Sequence, residues 1–496
     1  MKAAVELRRD LVLVGGGHSH VLALRMLAMT PIEGLRITLI SPASHSPYSG
    51  MLPGLIAGHY TFEQTHIDLA RLCQWAGVRF VAAEVVALDP LNRRLSLAGR
   101  PPLSYDVVSI DIGSQPELDS VPGAREHATP VKPVSGLWQR WLASQQRVNE
   151  QRGAEEYCIA VVGGGAGSVE LALAIAHRLK GKSLVLDLWC GAPVILQHYN
   201  ARARRMVMMA LQRHGIRVHL NARVTEVESA ALSFADGSHA AYDQLFWCTG
   251  ASAAPWVAAS GLATNEHGFL AVRDTLQAMD HDDIFGAGDI ATQVNHPRPK
   301  AGVYAVRQAP VLTHNLRAVL LDTPLRLHRP QRRFLSLISL GDKRATAEWG
   351  PLCATGRWTW RWKDRIDRAF MTRFETLPLN MPLTPSYRLP ASDSASLQPV
   401  CGGCGAKVGA DALSGALAQL RQNYPQHCCG GDDDAVVVPA PAGAPVLQSL
   451  DVLRQMVSDP WQMGRITANH ALSDLYACGV RPLSALAAVI LHYASS

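Results

Sequence analysis

Apolar and polar positions along the chain follow two periods, and the switch between them occurs twice in one form. Leu11–Val14 is a continuous apolar run that ends on Gly15, Gly16 and Gly17. From Val21 onward, Val21, Leu22, Leu24 and Leu27 fall on a helical face. The pattern predicts a buried strand, a tight turn and a helix start. It returns at Ile159–Val162, which enters Gly163, Gly164 and Gly165. A helix over Val169–Leu179 then leaves with a small-residue face of Ala172, Ala174 and Ala176.

Further strands are predicted over Arg36–Ile40, Arg79–Val86, Arg94–Leu97, Tyr105–Ile110 and Ser183–Trp189. A helix over Ala201–His214 closes on Gly215, a residue suited to the left-handed step after a helix end. Asp236-Gly237 marks a hairpin. Leu245–Cys248 is a strand meeting Thr249-Gly250, and Asp283–Phe285 delivers Gly286-Ala287-Gly288-Asp289 to a helix start. Strands alternating with helices in this order predict an α/β fold.

A strand, a glycine turn and a helix N-terminus let backbone N–H groups approach a diphosphate while the helix dipole favours its charge. The two turns therefore predict two Rossmann-like dinucleotide-binding units. Both depart from G-x-G-x-x-G. His20 stands in the third glycine's place in the first, and Ser168 does so in the second, just after Gly167. Ser41, not an acid, follows the second strand of the first unit, and Cys190-Gly191 ends the matching strand of the second. No acid or basic pair at that strand end decides between NADH and NADPH; Arg202, Arg204 and Arg205 read as a solvated helix face. Pro42–Gly54, rich in Pro, Gly and Ser, reads as a loop, lying either against a cofactor or on the surface. Glu170, just inside the second helix, reads on its own as a first-turn acid, solvated or favoured by the dipole. Asp289, after its strand, can accept a hydrogen bond from a sugar-alcohol hydroxyl.

Composition narrows the function. At 496 residues the chain suits two to four domains, and 48% hydrophobic with 18% charged residues suits a globular enzyme. The longest apolar run, Leu483–Leu491, is too short to span a bilayer. Met1–Asp10 is polar and leads straight into the first strand, so no signal peptide is expected and the cytoplasm is the expected compartment. The net charge of +6 is spread out, which argues against nucleic acid. Cys158, Cys190 and Cys248 read as buried thiols, and Cys73 has no neighbouring cysteine, so a disulfide reductase is not expected.

Arg357–Phe374 puts Trp362, Ile366, Phe370 and Phe374 at i, i+4 spacing among six arginines and lysines. It reads as a lid helix with a solvated basic face, or as a helix lying on an anionic membrane surface. Thr376–Val400, with five prolines, reads as a linker.

These motifs in this order resemble the two-dinucleotide flavoproteins, a group that includes type II NADH dehydrogenases and sulfide:quinone oxidoreductases. The resemblance covers roughly residues 11–374. It implies that Gly15, Gly16, Gly17 and the segment after Ser41 hold FAD. It also implies that Asp289 binds the ribityl chain and that Lys300–Gln308 passes the flavin ring. Gly163, Gly164, Gly165, Thr249, Gly250 and Glu170 would face NAD(P)H, with Glu170 near the nicotinamide. The implied chemistry is hydride transfer to flavin, and a quinone or other small molecule as acceptor. Expected bounds are 1–375 for the oxidoreductase, with an NAD(P)H-binding insert at about 155–250, then 376–400 as linker and 401–496 as a second module.

That module opens on Cys401-Gly402-Gly403-Cys404-Gly405-Ala406-Lys407, with Cys428-Cys429 downstream. Four thiolates would suffice for zinc, although adjacent cysteines rarely form the second pair of such a site. Asp432-Asp433-Asp434 leads into an apolar strand, Asp451 ends the next, and Asp474 lies on a helix after Asp459. Spaced aspartates of this kind suit Mg²⁺ bridging phosphates. The run is similar to the start of selenophosphate synthetase (selenide, water dikinase), an α+β domain. The resemblance implies that Cys404 handles selenide and Lys407 neutralises phosphate. Asp434 and Asp474 would bind metal, and Asp451 the nucleotide ATP. Such enzymes continue well past the position of Ser496, so an incomplete module is expected, from a broken gene or a fragment. A tail serving only dimerisation or zinc binding is the other reading.

Overall fold

The computed structural model describes residues 9–132, 134–150, 156–378, 386–389, 418–419, 422, 451, 453, 455–477, 479, 481–485 and 487. The chain divides into two units: one of Asp10–Pro31 with Ile37–Ser386, the other of Met1–Arg9, Ile32–Arg36 and Tyr387–Ser496.

Two five-stranded sheets organise the first unit. Strand β1 (Arg9–Val14) ends on Gly15 and is followed by helix α1 (His18–Met29) and strand β2 (Leu35–Ser41). The chain later returns to the other side of β1 as β3 (Val107–Ile110), in parallel register Leu11↔Val107 to Val14↔Ile110. The order in this sheet is Ile284–Gly286, β3, β1, β2, Arg79–Ala82. The second sheet repeats the arrangement. β4 (Tyr157–Val162), helix α2 (Ala166–Arg178) and β5 (Leu184–Trp189) go one way, and β6 (Gln244–Trp247) pairs in parallel on β4's other side, Ile159↔Gln244 to Val162↔Trp247.

Reversal of strand order beside β1 and beside β4 opens a crevice at the carboxyl ends of the strands, the general ligand position in open α/β sheets. Burial drives both halves: Leu11, Val12 and Leu13 are fully buried, as are Val161, Leu188 and Phe246. Long apolar strands covered on both faces are what a parallel sheet requires.

Helix α3 (Gly302–Leu321) lies against α1, and the Ser19 hydroxyl donates to the Ala305 carbonyl at 2.9 Å. An antiparallel three-stranded sheet over Ser336–Ser339, Ala345–Trp349 and Leu352–Gly356 leads into α4 (Arg357–Glu375).

Four local expectations are corrected. The segment 42–54 is not all loop: His45–Pro47 pairs antiparallel with His66–Asp68, and Leu52–Ile56 is helical. Gly288-Asp289-Ile290 is one 3-10 turn followed by a strand, Ala291–Gln293, so no α-helix starts at Asp289. Cys190 is buried, but Cys158 and Cys248 are only half-buried. On α4 the apolar stripe is split. Phe370 and Phe374 are buried with Thr359, Lys363, Asp367 and Met371, whereas Trp362 is 42% and Ile366 41% exposed. A 19-residue helix bounded by Gly356 can bury only the face the neighbouring layers cover, and tertiary packing selected the face carrying Lys363 and Asp367.

Within the second unit, Ile32–Glu33 pairs in parallel with Tyr387–Arg388. Helix Pro460–Ala477 is capped by Asp459, whose carboxylate accepts from the Trp461 N–H at 3.0 Å.

Candidate functional site

The two glycine turns have the same hydrogen-bonded frame. Gly15 N–H donates to Ile40 O at 2.8 Å, and Gly163 N–H to Trp189 O at 2.8 Å. Asp111 N–H donates to Val14 O at 2.8 Å, and Cys248 N–H to Val162 O at 2.9 Å. Gly15 takes φ +94° and Gly163 φ +139°, both in the region that favours glycine. A Cβ on Gly15 would stand 2.4 Å from the Asp111 carbonyl oxygen, so backbone packs directly on backbone there. Third-place His20 is not a missing glycine but a buried spacer. Its ring bridges Gly15 O at 2.7 Å and Ser109 Oγ at 2.8 Å, and burial lowers its pKa to about 4. Ser168 does a similar job at the second turn, donating to Gly165 O at 2.8 Å.

The helix starts differ. At α1 the Asp111 carboxylate accepts from the Ser19 N–H at 2.9 Å and the His20 N–H at 3.2 Å, which leaves the Gly16 and His18 N–H groups without a partner among the described residues. Those two donors fit a diphosphate. At α2 a Cβ on Gly165 or Gly167 would meet nothing within 4 Å, an open approach to the N-terminus.

Asp289 sits beside the first turn. Its Oδ2 accepts from Lys132 Nζ at 3.0 Å and Ser114 Oγ at 3.3 Å. The Gly288 N–H before it donates to Gln308 Oε1 at 2.8 Å, which brings the Lys300–Gln308 segment to the same crevice. A cavity lined by Gly288, Asp289, Lys300, Ala301, Tyr304 and Gln308 opens there. Lys300 donates to Ala291 O and Thr292 Oγ1, both at 2.8 Å, and burial lowers its pKa to about 8 against the pull of Asp289. The Gly16 and His18 N–H groups and the Asp289 carboxylate are the groups of this crevice that fit a dinucleotide's diphosphate and sugar hydroxyls.

Glu170 is not a solvated first-turn acid. Its Oε1 accepts from the Ser339 N–H at 2.6 Å, and burial raises its pKa to about 7 despite the Lys363 charge. Lys363, buried on α4, donates to Asp367 Oδ2 at 2.6 Å and to the Gly50 carbonyl. The Tyr48 hydroxyl donates to the other Asp367 oxygen at 3.2 Å, and its ring stacks on Phe370 with centroids 4.5 Å apart. His18, the first residue of α1, meets Tyr48 edge-on at 5.4 Å.

Asp111, Lys132, Tyr48, Lys363 and Asp367 were not anticipated from sequence. Asp111 carried a signal, since it follows strand β3 as Cys248 follows β6, immediately before Ile112-Gly113 and Thr249-Gly250 respectively. Lys363 and Asp367 carried none beyond i, i+4 spacing. Among the described residues no group of three or more His, Cys, Asp or Glu side chains is arranged to hold a metal. Cys404, Lys407 and Asp434 lie outside the described residues, and Asp474 lies on helix Pro460–Ala477. Asp451 lies 3.7 Å from His470 Nε2 on that helix.

Two glycine-turn units of one frame, in one chain, define a protein class that handles two dinucleotides. The family model for pyridine nucleotide-disulphide oxidoreductase matches residues 9–309, and the chain belongs to that family. Membership implies FAD and NAD(P)H as its cofactors, and the donors at the first turn and the open helix start at the second fit them. A second model, the N-terminal domain of AIR synthase related protein, matches residues 431–494. The demethylphylloquinone reductase of Synechocystis is 24% identical over 292 residues, covering 57% of this chain and 72% of that protein. The selenide, water dikinase of Myxococcus xanthus is 43% identical over 89 residues, 17% of this chain and only 25% of that enzyme. The sulfide:quinone oxidoreductase of Aquifex aeolicus superposes with a TM-score of 0.61 at 19% identity, over 74% of this chain and 91% of that one, a likeness of fold.

Proposed function

We propose that the chain is an FAD-dependent NAD(P)H dehydrogenase that reduces a quinone-like acceptor. The observation that carries this is Glu170. On the second turn's helix, its carboxyl accepts from the Ser339 N–H, is raised toward neutral by burial and feels the charges of buried Lys363 and Asp367, the latter bonded to Tyr48, a place where protons can be held beside a redox reaction. FAD, when bound, supplies the two-electron carrier between NAD(P)H and the acceptor. Gly16 and His18 N–H groups hold its diphosphate, and Asp289, steadied by Lys132, takes the ribityl hydroxyls. Gly163, Gly164, Gly165, Thr249 and Gly250 receive the nicotinamide dinucleotide at the open α2 N-terminus. Glu170, with a pKa near neutral, holds and releases a proton at its Oε atoms, as reduction of a quinone to a quinol requires. Cys73, the cysteine nearest in sequence to the first turn, is buried with its thiol pushed up to about 12, which supports a small-molecule acceptor over a disulfide.

The visible spectrum, taken anaerobically, tests this. NADH or NADPH should bleach the flavin bands and a quinone should restore them; bands that neither nucleotide changes would overturn the reading.

A finer part of the same reading concerns α4. Trp358, Trp362 and Ile366 are exposed at i, i+4 spacing, with exposed Arg357, Arg361 and Arg365 beside them. This face suits an anionic lipid surface, with aromatic rings at the headgroup level. No helix among the described residues is long and apolar enough to cross a membrane. Co-sedimentation with anionic but not zwitterionic vesicles is expected, and equal recovery with both would remove this part.

The tail supports a second chemistry, on its 43% identity to a selenide, water dikinase. There Cys404 and Lys407 would act on selenide and phosphate. Asp434 and Asp474 would hold Mg²⁺, and Asp451 would contact ATP. Formation of selenophosphate by this chain from ATP and selenide is the test; ATP left unconsumed with selenide and Mg²⁺ present counts against it.

A further inference from the structure

A carboxylate seldom occupies the helix N-terminus that is meant to receive a diphosphate, because the two compete for one positive end. Asp111 is such a group. It is 2% exposed, and its carboxyl lies between the Gly17 and Gly288 backbones. A Cβ on Gly17 would stand 2.2 Å from Asp111 Cγ, and one on Gly288 2.2 Å from Oδ1, so the carboxyl packs directly on both glycine backbones. Oδ2 already accepts from Ser19 and His20 N–H. The remaining donors of that turn, Gly16 and His18 N–H, are those left for a diphosphate. A bound diphosphate would therefore lie within one helix turn of this fixed side chain.

We propose that Asp111 is a positioning residue for FAD that must carry a proton when the diphosphate is seated, so that FAD binding takes up one proton here and weakens as pH rises. This rests on the flavoprotein reading above. The surrounding charges leave Asp111 as the group that titrates. His20 on α1 is kept neutral by burial, and His18 is lowered by burial while Asp289 raises it. Asp289, on the Gly288 turn, is paired with Lys132 from the 129–132 segment, and Lys300 lies beyond Asp289 and is spent on Ala291 O and Thr292 Oγ1. Burial and the Asp289 charge already raise Asp111 to about 7 without a ligand. Two phosphate charges move it further in that direction. Protonated at Oδ1, the carboxyl keeps both N–H bonds at Oδ2 and gains a donor where it faces the Gly288 turn.

The test is FAD affinity of the apoprotein against pH from 5.5 to 9, read by quenching of flavin fluorescence. In the wild type the dissociation constant should be flat at acid pH and rise about tenfold per pH unit above about 7.5. Asp111→Asn keeps the acceptor for Ser19 and His20 N–H but not the charge; its affinity should be flat throughout and exceed wild type by about tenfold at pH 8.5. Parallel profiles would overturn the proposal. Should the variant fail to fold, calorimetry of the wild type at pH 8 in two buffers of different ionisation heat decides instead. One proton taken up per FAD, retained in His18→Gln, supports the proposal, whereas none, or loss in His18→Gln, overturns it. FAD binding with a pH-independent affinity sinks the proposal alone; no FAD binding at any pH sinks the flavoprotein reading with it.

Discussion

The two glycine turns share a backbone frame and differ in what fills the space beside it. At the first, the glycines themselves are crowded: Asp111 presses on Gly15, Gly17 and Gly288, and His20 ties Gly15 O to Ser109. At the second, Cys248 stands where Asp111 does, a neutral thiol whose pKa burial raises, and Gly165 and Gly167 face open space. A crowded turn suits a group that is bound once and retained, and an open one suits a cosubstrate that comes and goes. The motif alone is blind to this, because the discriminating residue lies 94 positions away from Gly17 in the chain.

The comparison can be broken most severely at Gly15. Gly15→Ala places a Cβ at φ +94° and 2.4 Å from Asp111 O, so a loss of about 2–4 kcal/mol and of bound flavin is expected by chemical denaturation and absorbance. A wild-type melt with flavin retained would mean that the first turn is looser than its contacts.

A smaller effect separates Asp111 from Cys248. Asp111's folded pKa of about 7 lies above its ordinary 3.8, so the folded state binds a proton more tightly than the unfolded chain. Its contribution to apoprotein stability is fully present below about pH 4, falls as pH rises toward 7, and is constant above. The total is at most about 4 kcal/mol. Asp111→Asn should flatten that part of the profile, measured as unfolding free energy in urea from pH 4.5 to 8. Cys248→Ser should leave the slope as it is, because the thiol is protonated throughout that range. Identical slopes in wild type and Asp111→Asn would remove the distinction.

Smallest of all is Gly167→Ala, in the first turn of α2, where nothing lies within 4 Å. Helix propensity predicts a gain of about 0.5–1 kcal/mol. If the open space is the cosubstrate's, the KM for NADH rises while bound flavin stays constant; an unchanged KM would show that the approach is wider than one methyl group.

The architecture was legible because parallel strands buried on both faces are continuous apolar runs, and glycine is favoured where φ is positive. Leu11–Val14 with Gly15 and Ile159–Val162 with Gly163 announce themselves on those grounds. Helix α4 was legible in extent, Arg357–Phe374 against Arg357–Glu375, but not in orientation. Its sequence offers an aromatic face and a Lys363–Asp367 face, and the choice belonged to the layers it covers. Glu170 was legible as a position, while its near-neutral pKa comes from burial and the Ser339 N–H, 169 residues away.

By itself, then, the sequence determined the order of strands and turns, the two dinucleotide units and the family to which the chain belongs, since periodicity and glycine placement are local properties. Only the tertiary structure decided which charges meet. Asp111 at the α1 N-terminus, Lys132 on Asp289, and Glu170 near Lys363 and Asp367 each join segments more than 90 residues apart. Desolvation, which sets their protonation, exists only after those segments have packed.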